Sequence, residues 1–129
     1  MKTILVDAVN TFFIKNVWIN LEMQKILDKF KNKKIILTNA DKEKQKKLGL
    51  INLPYEIFSL NANPSKMNPE FYKIFLEKYN LNYTDVVYFE HNLEAIKSAR
   101  SIWIKTFYYN KDKKDLISLE KFLIENLSD

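Results

Sequence analysis

The sequence predicts an α/β fold with a central parallel sheet and helices on both sides. Three observations carry this. Short apolar runs rich in Ile and Val alternate with segments whose apolar residues recur at helical spacing. Those runs are apolar at consecutive positions, as in strands covered on both faces. Several helical segments also carry start and stop residues at the proper ends.

Taken in order, Thr3-Ile4-Leu5-Val6 reads as a buried strand. Trp18, Leu21, Ile26 and Phe30 recur at near-helical spacing, which predicts a helix over 16–31. Ile35-Ile36-Leu37 is a second strand, and 42–48 a short helix closed by Gly49, the only glycine. A weak third strand covers 55–60. Asn68-Pro69-Glu70 starts a helix running to about Tyr79: Asn caps, Pro opens the first turn and the acid suits the dipole. Strand 85–89, helix 93–100 and strand 102–107 follow. Leu116, Leu119, Phe122, Leu123 and Leu127 mark a last amphipathic helix. About five strands result, in one domain over 1–129.

Composition excludes several chemistries. A chain of 129 residues is long enough to bury about two-thirds of its unfolded surface, so it needs no staples. Cysteine is absent, which removes disulfides, thiolate metal sites and cysteine nucleophiles. His91 is the only histidine, so sites built on several histidines are excluded. One glycine cannot build a Gly-rich phosphate loop. The net charge is +5, yet 20 of the 21 basic residues are Lys, whereas base and phosphate readers lean on the Arg fork. The lysines read as a solvated surface, which argues against nucleic acid as a partner. No apolar run approaches the ~18 residues of a membrane span, and the N-terminal stretch meets Asp7 too early for a signal peptide. The expectation is a cytoplasmic protein that does not partner a membrane.

In an open parallel sheet, ligands bind beyond the carboxyl ends of the strands. Those ends offer Asp7 with Asn10 and Thr11, then Thr38-Asn39, then Lys66, then Glu90, His91 and Glu94. Acids with a Lys and a hydroxyl suit a divalent cation and a phosphate. Each residue also has a plain structural reading. Asp7 can cap a turn, Thr38-Asn39 can be turn chemistry, and Glu90 and Glu94 can decorate a helix start. Lys66 can be surface, and His91 a polar neighbour of the site.

Four segments in series resemble the motifs of the haloacid dehalogenase (HAD) superfamily. Ile4-Leu5-Val6-Asp7-Ala8-Val9-Asn10-Thr11-Phe12 is similar to its first motif, Asp-x-Asp-Gly-Thr after an apolar strand. Ile35-Ile36-Leu37-Thr38-Asn39 is similar to the second. Ser65-Lys66-Met67-Asn68-Pro69-Glu70-Phe71-Tyr72 is similar to the third, and 85–99, with Glu90, to the fourth. The resemblance implies a single-domain, Rossmann-like (HAD-like) three-layer sandwich. It implies a Mg²⁺-dependent phosphatase or phosphotransferase in which Asp7 becomes an aspartyl-phosphate. Thr38 would hold the phosphoryl oxygen and Lys66 would neutralise nucleophile and phosphate. Mg²⁺ would sit on Asp7, the backbone carbonyl of Val9 and Glu90, with Glu94 or His91 where a second acid is often found. Asn10, Thr11 and Asn39 would line the substrate.

Two departures qualify that reading. Val9 stands where the family's phosphatases carry the Asp that protonates the leaving group and then activates water. General acid–base help is worth ~10²–10⁴-fold, so poor turnover of ordinary phosphate monoesters is expected. Glu90 stands where Asp is usual, which lengthens a ligand to a metal that wants near-ideal geometry. Asn10 replaces a Gly, but Asn tolerates positive φ better than most residues. Neither 11–34 nor 39–66 leaves room for a cap domain. An open site points to a phosphorylated substrate that is bulky or macromolecular, or to a lid from a partner subunit in an oligomer. The alternative is a catalytically inactive HAD-like binding or regulatory module.

Overall fold

The computed structural model describes residues 1–128. Five strands form one parallel sheet: β1 (Thr3–Asp7), β4 (Lys34–Leu37), β5 (Glu56–Phe58), β6 (Val86–Glu90) and β7 (Lys105–Tyr108), in the order β5-β4-β1-β6-β7. A separate antiparallel hairpin, β2 (Phe13–Ile14) and β3 (Trp18–Ile19), follows β1. The helices are α1 (Leu21–Leu27), α2 (Lys42–Leu48), α3 (Pro69–Lys78), α4 (Leu93–Ser101) and α5 (Leu116–Leu127).

Alternation along the central strand divides the core. In β1, Ile4 and Val6 enter one cluster with Met23 and Leu27 of α1 and Leu119 and Leu123 of α5. Leu5 enters the other, with Phe71, Tyr72 and Phe75 of α3 and Ala99 of α4. Successive strand residues face opposite sides, so a strand covered by helices on both faces must be apolar throughout, as 4–6 are. The result is a three-layer sandwich.

Several boundaries lie where local chemistry puts them. Asp41 accepts from the Lys44 N–H to open α2, and Gly49, at φ 85°, closes it. Asn68 accepts from the Glu70 N–H ahead of Pro69. The segment 16–31 corrects the sequence expectation, because only 21–27 is helical. Asn16 turns the chain at φ 65°, Trp18 lies in β3, and the Asn20 side chain caps α1 by accepting from the Met23 N–H. The near-helical spacing of Trp18 with Leu21 therefore spanned a hairpin and a helix. The last strand is also displaced. Ile102 and Trp103 form the turn after α4, with Trp103 at φ 72° and 78% exposed, and pairing starts only at Lys105. No helix among the described residues is long and apolar enough to cross a membrane.

Candidate active site

β1 and β6 are neighbours in the middle of the sheet and end on Asp7 and Glu90. The chain leaves β1 toward α1 on one face and leaves β6 toward α4 on the other. Strand order therefore reverses here, and the diverging loops open a crevice at the carboxyl ends. A cavity of about 370 Å³ occupies it, lined by Asp7, Thr38, Lys66, Glu90 and His91 among others.

Lys66 arrives from the loop before α3, and both of its backbone groups are held. Its N–H donates to Asn39 Oδ1 at 2.8 Å, and its carbonyl accepts from the Tyr72 hydroxyl at 2.8 Å. Its ammonium, in a residue only 8% exposed, donates to Asp7 Oδ1 at 2.6 Å, to Glu90 Oε1 at 2.8 Å and to the Leu37 carbonyl at 3.4 Å. On the other side of the two carboxylates, His91 Nδ1 lies against Asp7 Oδ2 and 3.3 Å from Glu90 Oε2. Asp7 and Glu90 are thus bridged twice, by an ammonium between one pair of oxygens and by an imidazole between the other.

Further donors reach both carboxylates. Thr11 Oγ1 donates to Asp7 Oδ2 at 2.7 Å. The backbone N–H groups of His91 and Asn92 each donate to Glu90 Oε2 at 3.0 Å, and the Tyr88 hydroxyl donates to Glu90 Oε1. Asp7 and Glu90 are 1% and 0% exposed. Buried charges persist only when paired and hydrogen-bonded, and here two anions face two cations.

The electrostatics follow from that count. Burial alone would raise the Asp7 pKa, but the Lys66 ammonium and the His91 hydrogen bond hold its carboxyl well below the usual range. Burial alone would lower Lys66, but Asp7 and Glu90 raise it above its usual value. Hydrogen bonds to Asp7 and Glu90 outweigh desolvation and raise His91 from 6.5 to about 9. A base whose folded pKa is raised contributes stability that is complete below its unfolded pKa and is lost as pH rises through the folded one. In chelator-treated protein, the thermal midpoint should therefore fall between about pH 6 and about pH 10. His91→Gln should flatten that fall, and parallel pH curves for the two proteins would contradict it.

The structure gathers most of the residues singled out in the sequence. Asp7, Lys66 and Glu90 form one cluster. Thr38, buried at the end of β4, lines the cavity; its Oγ1 accepts from the Ala40 N–H at 3.2 Å and has no acceptor for its own proton among the described residues. Val9 lines the cavity, and so does Asn10, at φ 69°. Thr11 and Asn39 take positioning roles, on Asp7 and on the Lys66 backbone. Glu94 is a correction. The Asn92 side chain accepts from the Glu94 and Ala95 N–H groups, which puts Glu94 in the first turn of α4, exposed and paired with Lys97 at 3.4 Å. His91 stands in its place: it, Asp7 and Glu90 each present one donor atom, all within 4.8 Å of one another. Two buried carboxylates and an imidazole fit a divalent cation by their chemistry.

Four contributors went unread in the sequence. Tyr72 and Tyr88 brace Lys66 and Glu90; the only signal was Tyr88 two residues before Glu90, on the same strand face. Lys15 of the hairpin turn and Lys44 of α2 line the cavity and bring further positive charge to it. Among 20 lysines they carried no signal.

No protein-family model and no curated protein matches the sequence. Among solved structures, the fold is similar to that of UTR4 from Saccharomyces cerevisiae, at TM-score 0.54 and 19% identity over 74% of this chain and 48% of that one. It is also similar to the core domain of a Streptococcus pneumoniae protein assigned as a phosphoglycolate phosphatase, at TM-score 0.58 and 16% identity over 84% of this chain and 80% of that one. The chain thus spans about half the length of the yeast structure. These likenesses establish a HAD-like, Rossmann-type fold.

Proposed function

We propose that the chain is a HAD-like phosphohydrolase or phosphotransferase acting through an aspartyl-phosphate on Asp7. The observation that carries this is the 2.6 Å contact between Lys66 Nζ and Asp7 Oδ1, between residues 59 positions apart. A nucleophilic carboxylate must be ionised, and Lys66 and His91 keep Asp7 so. Lys66 also neutralises charge where a phosphoryl group would arrive, as a preformed electrostatic clamp does. The free Thr38 proton offers a donor to a phosphoryl oxygen. Asp7, Glu90 and the Val9 carbonyl would hold a divalent cation, Mg²⁺ by family resemblance. Such an ion supplies charge to the transferring oxygens.

In the first step an Asp7 oxygen attacks phosphorus, the bond to the leaving oxygen breaks, and that oxygen departs with the electron pair. In the second, water attacks the phosphorus of the acyl phosphate, the bond from phosphorus to Asp7 breaks with its electron pair returning to the carboxylate, and inorganic phosphate leaves while the water's proton passes to solvent. The first step needs a proton for an alkoxide and none for a carboxylate leaving group. Val9 offers none, so acyl phosphates should be turned over and alkyl phosphates barely. The kcat/KM values for acetyl phosphate and glycerol phosphate, which report the first step, measure this, with Asp7→Asn as the control that abolishes both. Equal values for the two substrates would overturn it. The open cavity, edged by Lys15 and Lys44, suits a large anionic substrate.

A second reading, a HAD-like binding or regulatory module without turnover, draws on how closely Asp7 is engaged. Its oxygens already accept from Lys66, Thr11 and His91. Acetyl phosphate left intact, with no phosphoryl group trapped on Asp7, would favour it.

A further inference from the structure

We propose that His91 is a nitrogen ligand, and that it turns this cation site from Mg²⁺ toward a first-row transition ion such as Mn²⁺. The inference rests on the cation site proposed above and deepens it. Its basis is the placement of one atom. His91 Nδ1 is the only nitrogen in the group of donors formed with Asp7 and Glu90, and it faces one oxygen of each carboxylate. The two carboxylate oxygens that would hold a cation there are the ones the imidazole already faces.

The backbone that carries the ring is held in place. Its residue follows Glu90 directly, and its own N–H is tied to Glu90 Oε2 at 3.0 Å and to Asp7 Oδ2 at 3.3 Å. Thr11 Oγ1 stands 3.3 Å from the same Nδ1. The backbone is therefore fixed to the same carboxylates that would hold the ion. An incoming cation meets two buried carboxylates and one imidazole, and the Nδ1 proton passes to solvent as the nitrogen takes the ion.

Ligand type then decides the metal. Carboxylate and carbonyl oxygens alone suit Mg²⁺, Ca²⁺ and Mn²⁺, whereas imidazole suits the transition ions. Mg²⁺ keeps its waters and demands strict octahedral geometry, and Glu90 brings it a longer arm than an Asp would. Mn²⁺ accepts both oxygen and nitrogen. The ordinary solvated-neighbour reading of His91 places no nitrogen on the ion and no preference in the site.

Binding of Mn²⁺ and of Mg²⁺ to chelator-treated protein, by calorimetry, together with pulsed EPR of the Mn²⁺ form, tests this without any turnover. Mn²⁺ should bind about tenfold or more tightly than Mg²⁺, and its EPR should show coupling to one ¹⁴N. His91→Gln, which keeps a polar side chain but removes the imidazole, should lose the coupling and most of the preference. Mn²⁺ bound without nitrogen coupling overturns the proposal, as does an unchanged preference in His91→Gln, or no ion bound at millimolar concentration. The wild-type EPR spectrum decides the matter even should the variant fail to fold. Protein that binds Mn²⁺ through nitrogen but leaves acetyl phosphate intact keeps this inference and loses the phosphatase reading.

Discussion

Replacing Lys66 by methionine should lower the unfolding free energy by about 3 kcal/mol at neutral pH, and the thermal midpoint by about 10 °C. Methionine fills a similar volume, so the loss is one of charge. The ammonium touches both Asp7 and Glu90, which are 1% and 0% exposed. Removing one partner of a buried ion pair costs about 3–5 kcal/mol, because it strands the other charge. The low end applies here. Glu90 keeps Tyr88 and two backbone N–H groups, and Asp7 keeps Thr11 and His91. The loss should be pH-dependent in a defined direction. The Asp7 pKa is depressed in the folded protein, so its contribution exists above the unfolded value of 3.8 and disappears as pH falls through the folded one. In Lys66→Met the carboxyl returns toward ordinary behaviour, so the gap between variant and wild type should narrow on acidification. Urea denaturation at neutral and acid pH measures it. A gap below about 1 kcal/mol at neutral pH, the range of exposed ion pairs, would mean that Lys66 does not hold the cluster together.

That cluster was legible because its parts lie at strand ends. An apolar run stopped by a single acid announces both the strand and the polar residue placed at its end; Asp7 after 4–6 and Glu90 after 86–89 are two such stops. Caps were legible for the same local reason. Asp41, Gly49 and Asn68 act on backbone groups two or three residues away, within reach of sequence reading. The misreadings came from ambiguity between neighbours. The hairpin at 13–19 has strands of two residues each, too short to show a period, and its apolar residues merged with those of α1. The choice between His91 and Glu94 turned on Asn92. Once its side chain caps α4, the residue before it stays with the strand end and the residue two after it turns outward. The braces Tyr72 and Tyr88 depend on packing between α3 and β6, which spacing along the chain does not encode.

Val9→Asp should raise kcat/KM, which reports the first step, by about 10²–10⁴-fold for an alkyl phosphate while changing it little for acetyl phosphate. Val9 lines the cavity two residues beyond Asp7, in the tight turn that Asn10 completes at φ 69°. That turn is pinned by backbone bonds from the Thr11 and Phe13 N–H groups to the Ala8 carbonyl, at 3.2 and 2.9 Å. A side-chain change at position 9 leaves those bonds in place. The new carboxyl would stand near the Asp7 carboxylate, and a like charge raises a carboxyl pKa. A raised pKa is what a general acid requires near neutrality. The same group, once it has given up its proton, would accept one from water in the second step, so phosphoryl-Asp7 should also become shorter-lived. The substitution removes half-buried apolar contacts, because Val9 packs against the core beside β1. A stability loss of about 1 kcal/mol is therefore expected alongside the gain in rate. The two effects separate by measurement: thermal melting reads the first, and the ratio of alkyl to acyl kcat/KM reads the second. A ratio unchanged in a folded Val9→Asp protein would mean that proton transfer to the leaving group does not limit this site, and the role assigned to the residue at position 9 would fall.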